Sequence, residues 1–134
     1  MNHAKGTFEV KLTPQKPDNK EAEGASVGRM SIDKRFSGDL EATSQGEMLA
    51  AMTAVKGSAG YVAIERVSGT LHGRSGTFVL QHSGTMTRGM PQLSVSVVPD
   101  SGTEALTGLT GRMTIKIDGG SHFYEFDYIL PEKD

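Results

Sequence analysis

The residues able to do chemistry sit singly in strand-like runs rather than in a motif. Tyr61-Val62-Ala63-Ile64-Glu65-Arg66-Val67 is dense in β-formers, and its alternation puts Tyr61, Ala63, Glu65 and Val67 on one face. The other face carries Val62, Ile64 and Arg66, so either side can be the inner one. With the Tyr61 face inside, Glu65 is a carboxylate among apolar neighbours, and burial would raise its pKa into the acid/base range. With Glu65 at a rim, it instead pairs with a Lys or Arg as a structural ion pair. In Thr77-Phe78-Val79-Leu80-Gln81-His82-Ser83, His82 follows Phe78 and Leu80 on one face and so points to the interior. An imidazole there titrates near neutrality and can exchange a proton, or it can be held by a backbone carbonyl as a core residue. Both segments flank Gly73-Arg74-Ser75-Gly76, so they pair antiparallel and bring Glu65 and His82 to similar heights on adjacent strands. A carboxylate–imidazole pair is the smallest proton-transfer unit such a chain can build.

A third stripe, His122, Tyr124, Phe126, Tyr128 and Leu130, lies opposite Phe123, Glu125, Asp127 and Ile129; the carboxylates mark the second face as outer. Tyr124 and Tyr128 bring hydroxyls that need partners when buried. Lys34 shares its face with Met30, Ile32 and Phe36, either as a buried cation or as an apolar stem with its amine in water. These residues give the candidate site: Glu65, His82 and Tyr124 for proton transfer, and Lys34, Tyr61, Phe78, Leu80, His122, Phe126 and Tyr128 to line a ligand cavity.

Other chemistries find no support. The four histidines (His3, His72, His82, His122) fall in separate segments, so no metal-ligand motif appears. There is no cysteine, no Gly-x-Ser-x-Gly elbow and no phosphate loop, and no cofactor is implied. The net charge of −2 disfavours nucleic acid. No run approaches the roughly 20 apolar residues of a membrane span. The first residues enter a strand pattern with no apolar leader, which points to a cytoplasmic protein.

The elements that position these groups are strands. The chain of 134 residues is sized for one domain, 1–134, and its 17 glycines punctuate period-2 runs. The runs are 7–12, 29–36, 39–48, 61–67, 77–83, 93–98, 112–117 and 122–130. Pro14 and Pro17 end the first, and Asp118-Gly119-Gly120 marks the last hairpin. Met48–Val55 also fits a helical face, but it reads better as the third strand continuing. The polar stretch from Pro14 to Val27 reads as an exposed loop or a lid. Eight strands with short turns predict an all-β fold, an eight-stranded antiparallel β-barrel, ahead of a sandwich. Leu71-His72-Gly73-Arg74-Ser75-Gly76 and Leu106-Thr107-Gly108-Leu109-Thr110-Gly111 share the frame L-x-G-x-x-G, which reads as corner chemistry used twice.

The segment Ser101 to Met113, with Gly102-Thr103 and Leu106-Thr107-Gly108-Leu109-Thr110-Gly111, resembles a signature of the allene oxide cyclase and dirigent barrels. Nearly the whole chain resembles a bacterial family of unknown function grouped with them. That likeness runs through Phe36–Leu40, Gly60–Gly69, Gly73–Thr85 and Val98–Thr103. The resemblance implies an allene oxide cyclase-like (calycin-type) barrel whose open end accepts a small lipophilic or aromatic molecule. It does not bring the cyclase reaction, whose cysteine this chain lacks. Three functions follow as expectations: a cofactor-independent isomerase or cyclase, a non-catalytic carrier, and a filled barrel that forms a homo-oligomer.

Overall fold

The computed structural model describes residues 1–16, 19 and 27–131. Eight strands run β1 (Asn2–Gln15), β2 (Val27–Gly38), β3 (Leu40–Met52), β4 (Ala59–Leu71), β5 (Arg74–Thr87), β6 (Met90–Val97), β7 (Thr110–Asp118) and β8 (Ser121–Ile129). Each pairs antiparallel with the next, and β8 pairs with β1, closing the barrel. One 3₁₀ turn, Glu104–Leu106, interrupts the β6–β7 connection; no α-helix occurs among the described residues.

The strands outrun their sequence estimates because ladder pairing continues through polar ends that carry no alternation. Pro14 does not end β1: it sits in the strand opposite Met30. With β8 pairing only to Phe8, the upper part of β1 is bonded to β2 alone. There a residue without an amide proton can face away from any ladder. Met48–Met52 is strand, paired with β4, and Thr53–Ser58 forms the loop. Residues 17, 18 and 20–26 of the expected lid lie outside the described residues.

Turn chemistry fixes the register. His72 and Gly73 both have positive φ (47° and 80°), the two-residue hairpin geometry whose twist matches the flanking strands. Gly119-Gly120 closes β7–β8 in the same way. We call the end with the β2–β3 and β4–β5 turns and the 98–109 connection the lower end.

The inward face is even-numbered on β1, β2, β3, β5 and β8 and odd-numbered on β4, β6 and β7. In the lower half these positions form one apolar core, including Phe8, Phe36, Leu40, Val67, Leu71, Phe78, Leu80, Val97 and Phe126. Leu106 and Leu109 of the 98–109 connection close it from below. The upper half differs. The inward-facing Leu12, Met86, Leu93 and Ile117 remain exposed, at 46%, 42%, 43% and 66%. The upper part of β1 has no β8 beside it, and β6 meets β7 only at Val95–Met113 and Ser96–Arg112. Pro91, above that seam, has no N–H to extend it. The barrel is thus packed below and open above and along the upper β6–β7 seam.

Candidate functional site

Four polar side chains meet at the waist between these halves. Strand alternation turns Lys34, Ser44, Glu65 and His82 inward from β2, β3, β4 and β5. Glu65 and His82 are diagonal neighbours, since Glu65 faces Leu80 and Ala63 faces His82. The Glu65 carboxylate is fully buried and accepts three hydrogen bonds. Ser44 Oγ donates to Oε1 at 2.8 Å, while Lys34 Nζ at 2.8 Å and His82 Nε2 at 2.6 Å share Oε2. Lys34 Nζ also lies 4.9 Å from the centre of the Phe8 ring, a cation–π contact.

These partners reverse one expectation. Burial by itself pushes the Glu65 carboxyl up, but the His82 hydrogen bond and the Lys34 charge outweigh it and hold the pKa at about 2. Glu65 is therefore a fixed anion and not the proton donor that burial alone would make. An ionised carboxylate only accepts, so His82 Nε2 carries a proton. In the neutral imidazole the lone pair then lies on Nδ1, which has no hydrogen-bond partner among the described residues. Glu65 orients the ring, and Nδ1 is the atom able to take a proton.

Tyr61 stands above this cluster, its ring centre 6.3 Å from that of His82. It can lie there because it faces Gly84: a Cβ at that position would come within 2.5 Å of the tyrosine ring. Partial burial and the Glu65 charge raise the Tyr61 pKa, so its hydroxyl stays protonated. His122 is half-buried on the inward face of β8, with its ring 5.0 Å from Phe8.

The other expected residues lie elsewhere. Tyr124 is not with Glu65 and His82. Its hydroxyl accepts from Leu40 N at 2.9 Å and contacts Ser37 O and Leu40 O at 3.0 and 3.2 Å, tying β8 to the β2–β3 turn. Its role is to satisfy turn backbone, which alternation alone cannot distinguish from lining a cavity. Phe78, Leu80, Phe126 and Tyr128 face inward as expected but are core rather than cavity wall. Phe126 stacks on Phe78 and on Tyr128, and Tyr128 bonds His72 at the lower rim. Ser44 was missed, although its parity with Leu40 and Ala42 marked it as a lone hydroxyl on an apolar face.

The outer surface also has a cleft, of about 730 Å³, across β2–β5. Val27, Leu49, Val62 and Ile64 line it beside an Arg29–Glu47 ion pair. Among the described residues no group of three or more His, Asp or Glu is placed to hold a metal ion. Nor is any helix among the described residues long and apolar enough to cross a membrane.

No curated protein matches the chain. It is similar to a crystal structure of a protein of unknown function from Shewanella oneidensis MR-1. The two are 56% identical over 99% of each chain, with a TM-score of 0.93. That protein is described as a member of the DUF3224 family, whose profile also matches residues 4–128 here. The chain belongs to the DUF3224 family of proteins of unknown function.

Proposed function

We propose that this barrel binds a small lipophilic or aromatic molecule in its upper half, on the polar floor made by Lys34, Glu65 and His82. The observation that carries this reading is the contrast along one inward face. Side chains of the same apolar type are buried below the waist and exposed above it, at Leu12, Met86, Leu93 and Ile117. An apolar concave wall over a few convergent polar groups is the usual composition of a ligand site. His82 Nδ1 extends the proposal to proton transfer. A bound carbonyl compound held by Lys34 would lose an α-proton to Nδ1 and regain one elsewhere, a cofactor-free isomerisation. The commitment of every Glu65 oxygen to a partner favours a second reading, a carrier with a rigid floor and no chemistry.

The test is a titration with the neutral fluorophore N-phenyl-1-naphthylamine. Emission should rise on binding, fall at least tenfold in apparent affinity with Met48→Glu inside the wall, and stay unchanged with Leu49→Glu in the outer cleft. Dependence on Leu49 alone would place the site outside and overturn the reading. Catalysis is separated from carriage by incubating 2-undecanone in D₂O. Isomerase chemistry predicts α-deuteration that His82→Gln abolishes and His122→Gln does not; no deuteration above buffer leaves the carrier.

A further inference from the structure

From the balance of donors and acceptors at the waist we infer that the ligand carries an acidic head group, a carboxylate or similar anion, seated on Lys34 and Tyr61 with its apolar part along the upper wall. The inference rests on the binding reading above and deepens it.

The anionic acceptor at the floor is already committed, and the acceptor left there is the lone pair on Nδ1 of a neutral His82. The inward-facing carboxylate is Glu65, and its two oxygens take three hydrogen bonds. A cationic head group seeking the Glu65 carboxylate would have to displace Lys34, Ser44 or His82 from a buried charge, at a cost no exposed contact offsets.

Donor capacity is not used. Lys34 Nζ has three protons, and its one oxygen partner among the described residues is Glu65. Its aromatic neighbours Phe8 and Phe36 accept only through their faces. The Tyr61 hydroxyl has no hydrogen-bond partner among the described residues. His82 Nδ1 becomes a donor on taking up a proton.

The charge inside the barrel agrees. Ionisable groups of inward parity among the described residues are Lys34 on β2, Glu65 on β4, Tyr61 beside it, His82 on β5 with the exposed Arg74 at that strand's lower end, and His122, Tyr124 and Tyr128 on β8; β1, β3, β6 and β7 contribute none. At the waist one fixed anion thus faces one fixed cation. An incoming anion completes the unspent donors and meets no uncompensated negative charge. The exposed Leu12 and Met86 and the half-buried Met30 and Met48 line the inner wall above the floor, where an alkyl or aryl tail would run.

The experiment compares ligands of one chain length at pH 8 by calorimetry: decanoate, decanol and decyltrimethylammonium. Decanoate should bind at least tenfold tighter than decanol, and decyltrimethylammonium weakest. Lys34→Arg should keep the advantage of the acid and Lys34→Met should remove it. If Lys34→Met does not fold, Tyr61→Phe serves, narrowing the gap by about threefold. Equal binding of decanoate and decanol, with the neutral fluorophore still bound, overturns the head-group assignment and leaves the pocket. Failure of all three ligands and the fluorophore overturns both.

Discussion

The two halves of this barrel are built on the same strands with the same alternation, yet they solve different problems. Below the waist, aromatic rings from β1, β2, β5 and β8 interlock, with Phe78 and Phe126 stacked at 5.9 Å and Phe36 edge-on to Tyr124 at 5.6 Å. The polar groups there are tyrosine hydroxyls bonded to turns. At and above the waist the inward residues include Lys34, Glu65, His82, Tyr61 and flexible methionines, with a buried ion pair in place of a ring stack. A buried ion pair contributes little net stability compared with apolar packing of the same volume, although breaking it is costly. The lower half therefore holds the fold, and the upper half keeps an arrangement that folding alone does not favour.

Phe126→Ala removes a fully buried ring from between Phe78 and Tyr128 and should cost about 4 kcal/mol in chemical denaturation. A loss under 1 kcal/mol would mean the lower core is not the fold's main support.

At the waist, Glu65→Gln leaves Lys34 without its counter-charge and should cost about 3 kcal/mol. Replacing the cluster together, as Lys34→Met, Glu65→Leu and His82→Phe, should recover much of that loss while abolishing the preference for decanoate over decanol. If the triple variant is no more stable than Glu65→Gln, the cluster is structural and the halves do not differ in kind.

Acid sharpens the same point. The Glu65 carboxyl is held at about 2, against 4.5 when unperturbed. Its contribution is present above about pH 5 and is lost as pH falls toward 2, by roughly 3 kcal/mol at the limit. Stability of the wild type should decline across that window more steeply than that of Glu65→Gln. Parallel pH profiles would contradict the depressed value.

How much of this was legible in the sequence follows from the same division. Alternation places Glu65, His82, Lys34 and Tyr61 on inward faces, and the hairpin between β4 and β5 brings Glu65 beside His82, because period 2 and turn length determine both. Alternation carries no height, however. Phe78, Phe126 and Tyr128 share the inward face with the site but lie below it, and Leu80, directly opposite Glu65, packs into the core; only closure of the barrel separates them from the site. The state of Glu65 was illegible for a related reason: Lys34 and Ser44 reach it from β2 and β3, and their alignment with β4 depends on register across the sheet. The partners of Tyr124 are turn carbonyls and an amide, which no side-chain pattern reveals.

The smallest expected effect concerns that tyrosine. Tyr124→Phe keeps the ring against Phe36 and unbonds the Leu40 amide, for about 1–2 kcal/mol, and should leave fluorophore affinity unchanged. A binding defect at full stability would bring Tyr124 back into the site.

The most direct test of the upper half as the ligand site uses the seven methionines as reporters. Met30, Met48 and Met86 face inward above the waist, whereas Met113 is buried in the core. In ¹³C-methyl-methionine NMR, titration with decanoate should shift Met30, Met48 and Met86 and leave Met113 in place. Unchanged spectra, or a Met113 shift without the other three, would contradict the account.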